Sequence, residues 1–350
     1  MIEAVEIAGR PVGPGHPVFV IAEIGLNHNG DPALAAQLVR TAAAAGVDAV
    51  KFQKRDSKAL LTSALHDAPY AAWYSYGTTY GEHRAALELS PEVLADLRDL
   101  ADSLGVVFFA SAWDTPSVDV CETLGIPVYK VASADVTNVP LLERIAATAK
   151  PVIVSTGMST EDEVAGAVDV LRSGGCDVVL LHCVSTYPAE FDEINLSTLP
   201  WLADRFRCPV GYSGHERGIA VSAAAVALGA CAVERHFTLD RASKGPDHAA
   251  SLEPPGLMKL VRDIRAVSRA MGRPGLVITD RERPVRVKLG KSLVAGRRLE
   301  AGAVLAEGDV VAKSPADGLS PALYRRVLGR SLVRPLEADE MLALEDLRAE

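Results

Sequence analysis

Two histidines, His215 in "GYSGHERG" and His236 in "VERHFTLD", each close a short apolar run of strand character. Neutral imidazole ligates Mn²⁺, Fe²⁺, Co²⁺ or Zn²⁺, and a site with only two protein nitrogens leaves positions open for water and substrate. Alone, either histidine would read as a buried hydrogen-bonding residue. As a pair at the ends of neighbouring strands they read as a catalytic metal site. Glu23 ends another such run, just before "IGLNHNG". A carboxylate there has no helix to cap and would cost free energy in a core, which favours a pocket role as general base or hydroxyl acceptor. Lys51, Gln53, Ser111, Lys130, Ser133, Ser155, Thr156, Ser185, Tyr187 and Ser213 stand at corresponding places in the intervening runs. Lysines and hydroxyls in one pocket suit phosphate and carboxylate oxygens, so the expected substrate is a small anion bound in a cation-rich site. Glu234 is expected either to orient a metal-bound water or an imidazole, or to pair with Arg235, which alternates to the other strand face. His182, inside "VVLLHCV", reads as a core histidine and His248 as a solvent-facing loop residue, neither of them a ligand. Asn27, His28 and Asn29 read equally as turn residues and as substrate contacts.

These positions are useful together only if one scaffold gathers them. Eight apolar, β-branched runs supply it: VFVIAEIG, AVKFQ, VVFFASAW, PVYKVAS, PVIVSTG, VVLLHCV, CPVGYS and CAVERHF. Between them lie amphipathic segments such as "DPALAAQLVRTAAAAG", "SPEVLADLRDLADSLG" and "STEDEVAGAVDVLRSGG", with Asp or Ser capping the start and Gly closing the end. Eight strand-and-helix units over about 250 residues predict an α/β fold, a (β/α)8 TIM barrel, in which polar residues at C-terminal strand ends build the active site. An open doubly wound sheet is the alternative, but no GxGxxG follows the first strand. Residues 54–90, longer and more aromatic than the other connections, predict a lid on the catalytic face or an insertion packed outside. The expected domains are a barrel at 1–271, a Pro/Gly-rich charged linker at 272–290 and a small β-rich domain at 291–350.

Composition narrows the class. The 350 residues are 49% hydrophobic and 23% charged with a formal net charge of -9, which fits a globular enzyme and argues against nucleic acid or anionic lipid as partner. Cys121, Cys176, Cys183, Cys208 and Cys231 lack CxxC spacing and read as reduced core residues. The N-terminal "MIEAVEIAGRPVG" has no basic-then-apolar pattern and no apolar run reaches membrane-spanning length, so the expected location is cytoplasmic.

Taken in order, "IAEIGLNHNGD", "VKFQKR", "YKVASADVTNVPLL", "PVIVSTGM", "LLHCVSTYPA", "GYSGHERG" and "VERHFTLDRASKGPDHAASLEP" resemble the sialic acid synthases (N-acetylneuraminate synthase family). The C-terminal segment resembles their SAF, or antifreeze-like, domain. The resemblance spans nearly the whole chain. It implies condensation of phosphoenolpyruvate with an open-chain N-acylated hexosamine, N-acetylmannosamine-like, and water, to give a nonulosonic acid and phosphate. Implied with it is a divalent metal, Mn²⁺ first and Mg²⁺ or Co²⁺ next, on His215 and His236. Lys51, Ser111, Lys130, Ser133, Ser155, Ser185 and Ser213 would hold phosphoenolpyruvate; Glu23, Gln53, Tyr187 and Asp247 would face the sugar; Glu23, Lys51 and His236 would be catalytic. A domain-swapped homodimer is also implied. Two positions depart from the family pattern. Ser185 stands where an asparagine is common, and Ser314, in "VVAKSPADGLSP", stands where the SAF domain often carries a sugar-binding arginine. Serine lacks the planar guanidinium fork, which leaves acceptor choice open, with Lys313 as one substitute. Legionaminic or pseudaminic acid synthesis from a diamino sugar is the alternative within the class. A non-catalytic sugar- or anion-binding barrel is the alternative outside it, disfavoured by the joint presence of Glu23, Lys51, Lys130, His215 and His236.

Overall fold

The structure is a computed structural model that describes residues 2–348. The chain divides after Gly272 into two compact units. In the first, eight parallel strands close into a barrel: β3 (Phe19–Gly25), β4 (Ala49–Lys54), β5 (Val107–Ala112), β6 (Tyr129–Val131), β7 (Val152–Ser155), β8 (Val178–Cys183), β9 (Val210–Gly214) and β10 (Ala232–His236), with β10 pairing back onto β3. Their bodies are runs of Val, Ile, Leu and Phe buried on both faces, as a parallel barrel requires. A hairpin that the sequence pattern did not announce, β1 (Val5–Ile7) with β2 (Arg10–Val12), precedes them. Its strands are too short to show alternation. Arg10 fastens the hairpin to Asp48 at 2.9 Å and to the Gly105 carbonyl at 2.7 Å. Both residues lie just before barrel strands, so the hairpin sits at the N-terminal mouth, away from the polar strand ends.

Helix starts follow local chemistry. Asp31 accepts from the Ala33 and Leu34 amides at 2.8 and 3.3 Å, and Ser90 caps the helix Pro91–Ser103. In "STEDEV" the cap is Thr160, not Ser159, because Thr160 and Glu163 form a reciprocal capping box.

Register converts strand-end chemistry into a ring. His236 lies opposite Glu23, Glu23 opposite Lys51, Gln53 opposite Ser111, Ser111 opposite Lys130, and Ser213 opposite Glu234. Lys51 and Gln53 are two residues apart, as are Glu234 and His236, so each pair points to one side of its strand. The connection after β4 folds into short helices at Ser57–Leu60, Ser63–His66 and Tyr80–Ala86 around packed Tyr70, Tyr80 and His83 rings. The Tyr76 hydroxyl donates to the Lys244 carbonyl at 2.9 Å, which joins this connection to the loop that follows β10 on the catalytic face.

The second unit contains β11 (Ser292–Ala295) and β12 (Val310–Lys313), an antiparallel pair extended by isolated bridges. Its own core includes Leu293, Leu299, Leu305, Leu332 and Leu336. The segment read as a linker carries a helix, Glu282–Leu289. Lys313 is paired with Asp339, and Ser314 Oγ accepts from Lys291 at 2.5 Å. All five cysteines are buried and free. Among the described residues no helix is long and apolar enough to cross a membrane.

Candidate active site

The C-terminal strand ends surround a cavity of about 210 Å³. Glu23, Lys51, Gln53, Ser111, Lys130, Ser133, Ser155, Ser185, Tyr187, Ser213, His215, Glu234 and His236 all line it. Asp247, from the loop after β10, approaches from the rim, with Oδ2 3.8 Å from His236 Nδ1. Thr156 alternates away, its hydroxyl donating to the Leu181 carbonyl.

Two ammonium groups organise the floor. Lys51 Nζ meets Glu23 Oε2 at 2.8 Å and donates to Ser111 at 3.0 Å. Lys130 Nζ donates to Ser155 at 2.6 Å and to the Val131 carbonyl at 3.2 Å. Glu234 Oε1 lies between them, 3.7 Å from Lys51 and 4.0 Å from Lys130, and accepts from Ser213 at 3.3 Å. The expectation of a cation-rich site is therefore corrected: Lys51 and Lys130 face the two carboxylates of Glu23 and Glu234. Buried ammonium groups of this kind need anionic partners before a ligand arrives. Burial opposes the charge on Lys51, yet Glu23 and Glu234 raise its pKa above the usual lysine value. Burial pushes Lys130 down against the pull of Glu234, and Lys51 adds to the push. Glu234, which burial alone would raise, is held below the usual carboxylate range by Lys130 and Lys51.

Glu234 therefore does not pair with Arg235. Arg235 points outward and donates to Glu216 Oε1 at 2.7 Å, to Ser222 at 3.0 Å and to the Glu216 carbonyl at 2.6 Å. Nor does Glu234 orient His215. His215 Nδ1 lies 2.7 Å from the Val184 carbonyl, which can only accept, so Nδ1 carries the proton and Nε2 keeps its lone pair. Burial, reinforced by His236, lowers the His215 pKa to about 3. The two imidazole centroids are 5.3 Å apart, and His236 Nδ1 is buried without a hydrogen-bond partner among the described residues. A neutral ring with a free lone pair beside an orphaned nitrogen fits a divalent cation held by His215 and His236. Among the described residues no three His, Cys, Asp or Glu side chains converge into a closed cage, so such a site would keep open positions. Tyr187 stacks against His215 with centroids 4.0 Å apart.

His182 is buried and bonded to the Ile194 carbonyl. His248 is buried too, contrary to the sequence expectation, because Thr238 Oγ1 at 2.7 Å holds it under the loop after β10. Asn27 donates to the Phe237 carbonyl at 2.9 Å and to Ser251 at 2.8 Å, so it ties loops together. His28 accepts from the Gly30 amide at 3.0 Å, and Asn29 takes φ 53°, both turn roles.

Sequence reasoning overlooked Gly157, Trp113 and Arg55. A Cβ at Gly157 would fall 2.3 Å from Ser185 Oγ and 2.8 Å from Ser133 Oγ, so only glycine lets these hydroxyls meet there. Trp113 lines the cavity, and the Arg55 guanidinium lies over its ring at 4.5 Å. The "KFQKR" stretch was the only signal for Arg55, and basic residues after a strand read as solvent-facing.

Comparison with known proteins agrees with this architecture. The NeuB family profile matches residues 38–275, and the SAF domain profile matches residues 290–348. N-acetylneuraminate-9-phosphate synthase of Mus musculus is 38% identical over 343 residues, covering 97% of this chain and 96% of that protein. N,N'-diacetyllegionaminic acid synthase of Legionella pneumophila is 38% identical over 346 residues, covering 97% of each. The crystal structure of N-acetylneuraminic acid synthetase from Leptospira borgpetersenii, a citrate complex, superposes with a TM-score of 0.72 at 31% identity over 81% of this chain and 95% of that one. With a barrel that gathers the strand-end residues and with both profiles matched in order, the chain belongs to the NeuB family and carries a C-terminal SAF domain.

Proposed function

We propose that this protein is a phosphoenolpyruvate-dependent nonulosonic acid synthase. The observation that carries the proposal is the joint occurrence, in one cavity, of two serine-bonded lysines and an open pair of imidazoles. Lys51 and Lys130, with Ser111, Ser133, Ser155, Ser185 and Ser213, hold the carboxylate and phosphate of phosphoenolpyruvate through charge-assisted hydrogen bonds. Glu23, Gln53, Tyr187 and Asp247 take the hexosamine, orienting its aldehyde toward the imidazole pair. His215 and His236 would hold a divalent cation, Mn²⁺ being the expected ion, which when bound would supply positive charge and Lewis acidity toward the acceptor's carbonyl oxygen.

The π electrons of phosphoenolpyruvate form the new C–C bond from its enol carbon to the aldehyde carbon, the carbonyl π electrons pass to the aldehyde oxygen, and that oxygen takes a proton from solvent to become a hydroxyl. Water adds to the phosphate-bearing carbon and gives its proton to Glu23, whose Oε2 is set by Lys51 at 2.8 Å and Oε1 by Gln53 at 2.7 Å. The C–O bond to phosphate then breaks, phosphate departs with the bonding electrons, and the remaining hydroxyl gives its proton to solvent to leave the ketone. Lys51 and Lys130 stabilise the negative charge throughout without reorganising.

The acceptor we propose is N-acetylmannosamine-like. Phosphoenolpyruvate contributes three carbons, so C9 of the product is C6 of the hexosamine, and a 9-phosphate product needs a 6-phosphorylated acceptor. Lys313 is occupied by Asp339, which argues against it as a substitute for the guanidinium absent at Ser314. The proposal includes a cytoplasmic homodimer in which each SAF domain lies over the partner's barrel; light scattering on the purified protein tests the dimer.

The functional test measures phosphate release from phosphoenolpyruvate with N-acetylmannosamine, its 6-phosphate, and two diacetamido hexoses, one matching each alternative product, in parallel. Release that requires an acceptor and yields a nine-carbon acid by mass spectrometry is expected. Diacetamido acceptors alone turning over would move the function to a legionaminic or pseudaminic acid synthase. Substrate binding with no phosphate released from any mixture would sink the enzymatic proposal in favour of a binding barrel.

A further inference from the structure

Arg55 directly follows β4, is 4% exposed, and belongs to none of the substrate-binding roles assigned above. Its placement is elaborate. Glu88 accepts from the Arg55 amide and from Lys54 Nζ, both at 3.1 Å, and keeps Oε1 3.8 Å from Arg55 Nη1. Trp113 supports the guanidinium face. Despite this enclosure, Nε and Nη1 find no hydrogen-bond partner among the described residues, and Nη2 donates to Gln53 Oε1. Burying an arginine for one guanidinium hydrogen bond is a poor route to stability, since the unpaired donors each carry a desolvation cost.

What the bond does accomplish is to orient an amide. Arginine has only donors, so it fixes Gln53 with oxygen outward and NH₂ inward. The inward nitrogen donates to Glu23 Oε1 at 2.7 Å, and Glu23 Oε2 meets Lys51 at 2.8 Å. Glu23, which as a carboxylate only accepts, selects the same orientation from the inner side, so the amide is held at both ends; without Arg55 its outward oxygen loses its donor and the side chain is less restrained beside Glu23. Gln53 Nε2, Glu23 Oε1 and Asp247 Oδ2 also converge over bare Gly25, whose missing Cβ would lie 3.2, 3.0 and 3.5 Å from them. A donor thus stands beside two acceptors, a pattern suited to a sugar hydroxyl that accepts from the amide and donates to a carboxylate.

We infer that Arg55 is a positioning residue that locks the Gln53 amide as a donor and thereby sets the acceptor-sugar end of the pocket to recognise a hydroxyl oxygen. The inference rests on the acceptor role proposed for Gln53 and Glu23. The hydrogen bonds of Arg55 reach the lysine-lined phosphoenolpyruvate end only through the pair of Glu23 and Lys51.

Four proteins test it: wild type, Arg55→Met, Gln53→Leu and the double variant, with Arg55→Lys as a donor-retaining control. R55M is expected to raise the acceptor KM about tenfold to hundredfold, the range for losing a charge-assisted hydrogen bond, with the phosphoenolpyruvate KM within about twofold of wild type. R55K should recover part of the loss. In the Q53L background, R55M should change the acceptor KM less than about twofold, because its partner is gone. Equal effects of R55M in both backgrounds, equal increases in both KM values, or no increase at all would overturn the inference. If the wild type releases no phosphate with any acceptor, the proposed function fails first. The four melting temperatures then still report on the amide: non-additive shifts support its orientation by Arg55, and additive shifts refute it.

Discussion

Replacing Gly157 by alanine should separate substrate binding from folding. The added methyl would lie 2.3 Å from Ser185 Oγ, 2.8 Å from Ser133 Oγ and 3.3 Å from the Cys183 carbonyl oxygen. Favourable heavy-atom contacts begin near about 3.5 Å, so at least one hydroxyl has to retreat by about 1 Å. Gly157 is not among the residues with positive φ, so an alanine backbone is allowed there. The cheapest relief is rotation of Ser185 about its Cα–Cβ bond, which clears the methyl but carries the hydroxyl off the proposed phosphoenolpyruvate site. Loss of a hydrogen bond to a charged group costs about 1.5–3 kcal/mol. That corresponds to an increase of about 10- to 150-fold in the phosphoenolpyruvate KM. Steady-state phosphate release with phosphoenolpyruvate varied at saturating acceptor measures it, and thermal denaturation checks the fold. We expect a melting temperature within a few degrees of wild type, roughly the shift of 1 kcal/mol in a domain this large. A G157A protein whose phosphoenolpyruvate KM stays within twofold would show that Ser133 and Ser185 do not hold this substrate.

Three further outcomes follow from buried chemistry. Arg235→Met should lose about 3–5 kcal/mol in urea denaturation, because Glu216 would be left buried without its cation; R235M/E216Q should recover part of that, and a loss under about 1 kcal/mol for R235M would contradict the clamp. His28 is lowered from 6.5 to about 4, by burial first, so the folded state takes up its proton later than the unfolded chain as pH falls. Its contribution is complete above pH 6.5, declines toward about pH 4 and is worth on the order of 3 kcal/mol. Denaturation midpoints of wild type should therefore fall more steeply over that window than those of His28→Gln, and parallel curves would refute the assignment. Dialysis against a chelator should abolish phosphate release, Mn²⁺ should restore it, and His236→Ala should remain inactive with added Mn²⁺ while melting like wild type; full turnover of the chelated protein would remove the metal from the imidazole pair.

What the sequence made legible follows from parity. Lys51 with Gln53 and Glu234 with His236 are spaced by two, so once their runs are strands each pair shares a face. Eight runs with polar ends imply a single cavity only because parallel strands in a closed barrel place those ends at one mouth. The relations that parity does not encode stayed hidden. Parity sends Glu234 and Arg235 to opposite faces of the strand but does not name the partner each one meets there. The arginine met Glu216 outside, and the glutamate met Lys51 and Lys130 inside. Gly157 and Ser185 are brought together by the loops after β7 and β8, and no spacing within either segment announces the contact. His248 looked exposed for a related reason: its partner Thr238 lies ten positions earlier, across a loop without periodicity.

Arg55 shows why the distinction matters for function. A basic residue just beyond a strand has a solvent-facing default, and Arg55 becomes informative only when Trp113 from the next strand's end and Glu88 from the intervening connection close around it. Its hydrogen bond reaches back two residues to Gln53, whose amide then reaches Glu23 on the neighbouring strand β3. The identities of the groups proposed to touch substrate thus follow from strand position, whereas their donor and acceptor senses depend on neighbours supplied from other strands and loops. Two chains with the same strand-end residues could therefore read different acceptors if the residue at position 55 differed. The proposed coupling between Arg55 and Gln53 is where the acceptor end of this cavity is expected to be adjustable in this chain.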